Sequence, residues 1–280
     1  MALDQYREEE EDEGMSFLDH LEQLRWHLLR SVAAILIFTI IAFLAKSIVF
    51  GQIILGPSRV DFFTYRMLCQ LAEIFNTPVL CITELPFILQ SRQMTGQFSM
   101  HITSSLVVGI IASFPYIFWE VWRFISPGLY AKERQAARGA VFFVSLLFFL
   151  GTLFGYYILT PISVNFLANY QLDPTISNEF DITSYVGTLS MLVLASAIMF
   201  QLPMVIYFLS MSGLVSAAML KTYRRHSIIV ILILAAVITP PDVISQILIA
   251  MPILVLYEAG IQIAKRLEKK RAKEALEDNV

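Results

Sequence analysis

Glu133 stands in a charged run, Lys132-Glu133-Arg134, that continues to Arg138. A carboxylate so placed either binds a guanidinium through short, charge-assisted, often bidentate bonds, or is neutralised by the cations beside it. The run follows Pro127-Gly128, which ends a helix because proline lacks the N–H and glycine tolerates positive φ. Trp119, Trp122 and Tyr130 around the break are amphipathic rings of the kind found at lipid-headgroup depth. The stretch Trp119–Arg138 therefore reads as a turn at a membrane surface. It is either an ordinary positively charged inner loop or a site that takes a cation.

The remaining reactive side chains form no catalytic constellation. His20, His27, His101 and His226 lie far apart, without the His-Glu-x-x-His spacing of a metal site, and neither a phosphate-cradling glycine loop nor a Gly-x-Ser-x-Gly nucleophile turn occurs. No catalytic residue, metal or cofactor is expected, and no nucleic-acid partner. Cys69 and Cys81 are twelve positions apart in one inter-span segment. An oxidising compartment would join them in a disulfide, and two free thiols are the alternative.

These residues must be positioned by a chain that is 57% hydrophobic and only 15% charged over 280 residues, with mean hydropathy +0.67. One soluble core cannot hide that much apolar surface, so the fold class is an all-α, polytopic membrane protein. Residues 1–15, with the acidic block Glu8–Glu13, read as a disordered tail, and no cleavable signal peptide is visible. Ser16-x-x-Asp19 opens a helix, with Leu21, Leu24 and Leu28 at helical spacing. The pattern predicts an interfacial helix whose other surface, His20, Glu22, Gln23, Arg25, His27 and Arg30, is solvated.

Six spans follow, at about 28–50, 101–122, 139–161, 185–212, 226–241 and 243–264. A cap over about 51–98 separates the first two, with an amphipathic helix from Asp61 to Phe75. Gly151-x-x-x-Gly155 invites close helix approach, Gln201-Leu202-Pro203 breaks the fourth span, and 162–184 reads as an outer loop. The fifth span has sixteen residues between Arg225 and Asp242, at most about 24 Å of helix and short of a hydrocarbon core. Residues 266–280 read as a charged C-terminal tail. With the N-terminus inside, sixteen Lys and Arg fall inside and four outside (Lys46, Arg59, Arg66, Arg92). That count puts both termini in the cytoplasm and the cap outside.

Over roughly residues 16–265 the chain resembles TatC, the multispan receptor subunit of the twin-arginine protein translocase. The motifs are His-Leu-Glu-Gln-Leu-Arg at 20–25, Phe-Ile-Ser-Pro-Gly-Leu-Tyr-Ala-Lys-Glu-Arg at 124–134, Gln-Leu-Pro at 201–203 and Thr-Pro-Pro-Asp-Val-Ile-Ser-Gln at 239–246. The resemblance implies a signal-peptide receptor in a bacterial plasma membrane, recognising the Arg-Arg pair in the leader of a folded cargo. It further implies TatA- and TatB-type single-span partners, self-association in a larger complex, and export driven by the proton-motive force. Carried over, the leader site is Leu21, Glu22, Gln23, Leu24, Arg25, Phe124 and Glu133. The site for a partner's helix is Gln201, Pro203, Thr239, Pro240, Pro241 and Asp242.

Two positions depart from the family pattern. Gln23 stands where the family usually has a second Glu, and here the acid lies one residue earlier, at Glu22, about 100° around the helix. Gln201 stands where an intramembrane Glu is common, so it can hydrogen-bond but not exchange a proton. The rival reading is a small-solute secondary transporter. It lacks ionisable groups at the middle of spans three to six and any clear inverted repeat.

Overall fold

The computed structural model describes residues 17–77, 81–126, 139–173, 175–239 and 243–277. Ser16, Pro78, the Pro127-Gly128 break, Tyr130, Lys132, Glu133, Arg134, Arg138, Pro240, Pro241 and Asp242 lie outside them.

Residues 17–44 contain neither proline nor glycine, and they form one unbroken helix, α1 (Phe17–Leu44). The amphipathic leader segment and the first span are thus a single rod of about 42 Å. After a short irregular passage comes the cap helix α2 (Phe63–Phe75), closed by Asn76 in the left-handed conformation at φ 51°. Strand β1 (Ile88–Gln90) leads into α3 (Gly96–Ile125), which carries Pro115 within it. Then come α4 (Ala140–Phe154), a π-helical passage at Gly155–Leu159 and α5 (Thr160–Asn169), together one crossing. Strand β2 (Glu179–Asp181) precedes α6 (Ile182–Met199), α7 (Leu202–Met211), α8 (Ala217–Thr222), α9 (Arg224–Ile238) and α10 (Val243–Glu277).

Among the described residues, five helical segments are long and apolar enough to cross a membrane: Leu21–Leu44, Gly96–Ile125, Ala140–Asn169, Ile182–Met211 and Ser245–Lys273. The expected fifth crossing, α9, has fifteen residues, about 22 Å of helix. The outer loop expected over 162–184 is shorter, because α5 continues to Asn169 and α6 starts at Ile182. Residues 266–277, the described part of the charged C-terminal segment, form the last turns of α10. The Glu268 carboxylate accepts from the Ala217 N–H at 2.7 Å, and the Arg271 guanidinium donates to the carbonyls of Ser210 and Met211. Those bonds satisfy groups that the ends of α7 and α8 leave open.

Small residues set the closest helix contacts. A Cβ on Gly151 would lie 2.7 Å from the Ala197 Cα, and one on Gly155 would lie 2.8 Å from the Val193 Cα. That is why α4 and α6 can pack backbone to backbone, as the Gly-x-x-x-Gly spacing predicts. One apolar core joins Leu192, Ile206, Ile231, Ala235, Ile253, Tyr257 and Ile261 from α6, α7, α9 and α10.

The cap end of the molecule is a lid built on neutral hydrogen bonds. Tyr65 is fully buried and its hydroxyl lies 3.0 Å from both the Pro57 and Pro161 carbonyls. Tyr156 and Tyr185 donate to the carbonyls of Ile53 and Ile54, each at 2.8 Å. Burial pushes the Tyr65 hydroxyl far above its ordinary pKa, so it stays a neutral donor. Cys69 and Cys81 are joined in a disulfide with Cα atoms 4.1 Å apart. β1 pairs parallel with β2, Leu89 opposite Phe180, tying the cap to the segment before α6.

Candidate inner-face receptor site

α1 leans along α3 and packs on no other helix to a comparable extent. At mid-height Gly109 lets the helices touch: a Cβ there would lie 2.8 Å from the Thr39 backbone N. Near the cap end the His101 ring stacks on Phe43 at 4.0 Å, with Nε2 3.1 Å from the Phe43 carbonyl. Near the opposite end the two helices meet through polar side chains.

There Glu120 of α3 is 1% exposed. Its Oε1 accepts from the Tyr116 hydroxyl at 2.8 Å, one turn back on the same helix. Its Oε2 lies 2.5 Å from His27 Nδ1 and 4.0 Å from Arg30 Nη1, both on α1. A carboxylate can only accept, so the imidazole Nδ1–H donates. One turn beyond Glu120, the Phe124 ring meets the His27 ring edge-on at 6.1 Å. Arg123 lies over Trp119 at 4.8 Å, a cation–π contact that leaves Glu120 to His27 and Arg30 of α1.

This arrangement corrects the expected orientation of the first helix. Leu21, Leu24 and Leu28 are exposed at 43%, 41% and 62%, whereas half-buried His27 turns inward onto α3. The polar face is not wholly solvated, because a buried acid on the neighbouring helix makes it the better packing surface. Gln23, one turn before His27, shares its face, while Glu22 projects about 140° away from it. Glu22, Gln23 and Arg25 are exposed and Phe124 is half-buried. The structure thus groups Gln23, His27, Glu120 and Phe124, and sets Glu22 and Arg25 apart. Glu133 lies outside the described residues.

Glu120 has no role in the sequence reading, which assigns Trp119 and Trp122 to an aromatic belt. One signal was available: Tyr116, Glu120 and Phe124 recur every fourth residue, and so do Gln23 and His27.

The residues carried over for partner docking are largely used within the chain. Gln201 sits at the break between α6 and α7, and its Nε2 donates to the Val144 carbonyl at 3.2 Å. Its Oε1 is buried without a hydrogen-bond partner among the described residues. Pro203 is buried, and buried Thr239 donates its hydroxyl to the Ala235 carbonyl at 2.9 Å.

Residues 19–252 match the family described as Sec-independent protein translocase protein (TatC). A relative of that name from Blattabacterium sp. subsp. Periplaneta americana is 39% identical over 263 residues, covering 93% of this chain and 99% of the relative. The Bacillus subtilis protein TatCy is 30% identical, with 94% of each chain covered. A crystal structure of the twin arginine translocase receptor TatC in DDM superimposes with a TM-score of 0.68 at 31% identity, covering 88% of this chain and 99% of that one.

Proposed function

The chain belongs to the TatC family and acts as a receptor subunit of the twin-arginine translocase, and from that premise we propose that its inner face binds the arginine pair of a leader. The observation that carries the placement is the column Gln23–His27–Glu120–Phe124, where α1 and α3 are held together at the mouth of the segment bearing Glu133. Glu133 is the main anchor for one leader arginine. The second arginine meets a weaker acceptor, Gln23, while Leu21, Leu24, Arg25 and Phe124 frame the leader's apolar part. Glu22, on the far side of α1, contributes less.

The sixteen-to-four charge count supports six crossings with both termini in the cytoplasm of a bacterial inner membrane, α9 being the short fifth. TatA- and TatB-type single-span partners dock near Gln201, at the break between α6 and α7. Such interhelical amide bonds contribute about 0.6–2 kcal/mol, which suits reversible assembly driven by the proton-motive force. The small-solute transporter reading is set aside, because it fits neither the family nor the described spans.

The test is leader affinity measured in detergent for the wild type, Glu133→Gln and Gln23→Glu, with Arg-Arg and Lys-Lys leaders. Glu133→Gln should weaken Arg-Arg binding by about 1.5–3 kcal/mol, the worth of a hydrogen bond to a charged group. Gln23→Glu should tighten it. Unchanged binding by Glu133→Gln would place the receptor site elsewhere, because a purely local, exposed ion pair contributes only about 0–1 kcal/mol.

A further inference from the structure

We infer that the exposed face of α10 around Lys265, Arg266 and Lys269 binds the headgroup of an anionic phospholipid, whose acyl chain runs along Ile247, Met251 and Val255 of the same face. The site shares no residue with the leader face on α1 and α3, and it does not depend on the receptor reading.

The roll of α10 is fixed by what it buries. Ile253, Tyr257, Ile261 and Ala264 pack into the apolar core, and the next turns keep that side against the protein. Leu267 packs beside Ala140 and Met211. The Glu268 carboxylate accepts from the Ala217 N–H, and the Arg271 guanidinium donates to the carbonyls of Ser210 and Met211. At about 100° per residue, Lys265, Arg266 and Lys269 share an arc of about 100°, centred about half a turn from those anchors. All three are exposed. Exposed Lys270 and Lys273 widen the same arc to about 140°.

What lies along that arc in the crossing decides the occupant. Ile247, Met251 and Val255 recur on it every fourth residue and are exposed at 51%, 63% and 64%. Exposed apolar side chains in a segment able to cross a bilayer face acyl chains. Between them and Lys265 stands Glu258, the one acid from Val243 to Leu267. Arg224 of α9 holds it through contacts of 2.7 and 2.9 Å. That pair marks where the face turns polar, and exposed Tyr223 beside it is a ring suited to headgroup depth. The pair is neutral as a unit, so the charge of the face comes from the cations beyond it. An apolar stripe running into a cationic one matches a molecule with an acyl tail and a phosphate head. A soluble acidic protein would use the cations alone. Lysine and arginine bind phosphate oxygens through charge-assisted bonds, and their flexible stems reach back towards the headgroups. Clusters of such residues just past a membrane helix favour anionic lipids.

The experiment titrates a short-chain fluorescent phosphatidylglycerol into the full chain in detergent, with the phosphatidylcholine analogue as reference. The wild type should prefer phosphatidylglycerol, and the preference should fade in high salt, which screens exposed charges. The triple variant Lys265→Gln, Arg266→Gln, Lys269→Gln should bind phosphatidylglycerol about a hundredfold more weakly, about fivefold per cation removed. Lys265→Arg, Arg266→Lys, Lys269→Arg keeps the charge and should keep the affinity. Soluble glycerol phosphate should not displace the lipid, because it lacks the acyl chain. A measurement without variants is hydrogen exchange of residues 262–273 in nanodiscs, which should slow when phosphatidylglycerol joins phosphatidylcholine. Equal wild-type affinity for both lipids, unchanged exchange, or full phosphatidylglycerol affinity in the triple glutamine variant would overturn the site. Displacement by glycerol phosphate would assign the cations to a soluble anion. A lipid preference that appears only after deletion of residues 1–14 would make the acidic block Glu8–Glu13 the occupant. Either result would overturn the lipid.

Discussion

The lid at the cap end and the face around Glu120 at the opposite end of α3 hold the membrane helices in place with opposite chemistry. The lid uses neutral hydroxyls: Tyr65, Tyr156 and Tyr185 donate to backbone carbonyls, and a disulfide closes the segment between Cys69 and Cys81. The inner face uses an acid, an imidazole and a guanidinium within 4.0 Å of one another's contacts. Neutral bonds hold one arrangement at every physiological pH. A carboxylate can be re-paired by an arriving cation. The difference teaches that the lid is built to stay and the inner face to respond.

The largest expected effect on that contrast comes from removing the disulfide. Cys69→Ser with Cys81→Ser releases a loop of twelve residues, and should cost the lid about 3 kcal/mol in thermal unfolding. Leader affinity should stay unchanged. A matching loss of leader binding would mean that the two ends are not separable. The second effect is smaller. Tyr65→Phe leaves the buried Pro57 and Pro161 carbonyls without their donor and should destabilise by about 1–2 kcal/mol, again with leader affinity intact. An unfolding temperature equal to the wild type would show that the lid does not depend on that hydroxyl.

The smallest effect is a pH response of the lid. The Thr183 hydroxyl, the Thr183 N–H and the Arg92 N–H hold the Asp181 carboxyl below its ordinary pKa. A depressed carboxylate contributes stability above its unfolded value, about pH 4, and loses it as the pH falls further. Hydrogen exchange around β1 and β2 should therefore be flat from pH 8 to 5 and rise only below about pH 4. A loss of protection already between pH 8 and 5 would contradict that role of Asp181.

Much of the frame was legible in the chain itself. Gly151-x-x-x-Gly155 marks a close approach wherever two membrane helices meet, and Gln201-Leu202-Pro203 breaks a helix by local chemistry alone. The pairing of Ile88–Gln90 with Glu179–Asp181 was not legible, since three-residue strands about ninety positions apart carry no periodic signal. The inward turn of His27 was hidden for a different reason. In water the polar side of a helix faces out, but beside a membrane its direction is decided by what the neighbouring helix buries. Glu120 therefore had to be placed before the face of α1 could be read. Residues 265–277 look like a charged tail by composition, yet Glu268 and Arg271 anchor them to the ends of α8 and α7.

The most direct measurement places a photo-crosslinker beside the arginine pair of a leader and maps where it attaches on the full chain in inner-membrane vesicles. Crosslinks to residues 20–27 and 120–126, lost with a Lys-Lys leader, are the result expected of a receptor on the inner face. Crosslinks concentrated on the lid, over residues 60–90, would contradict it.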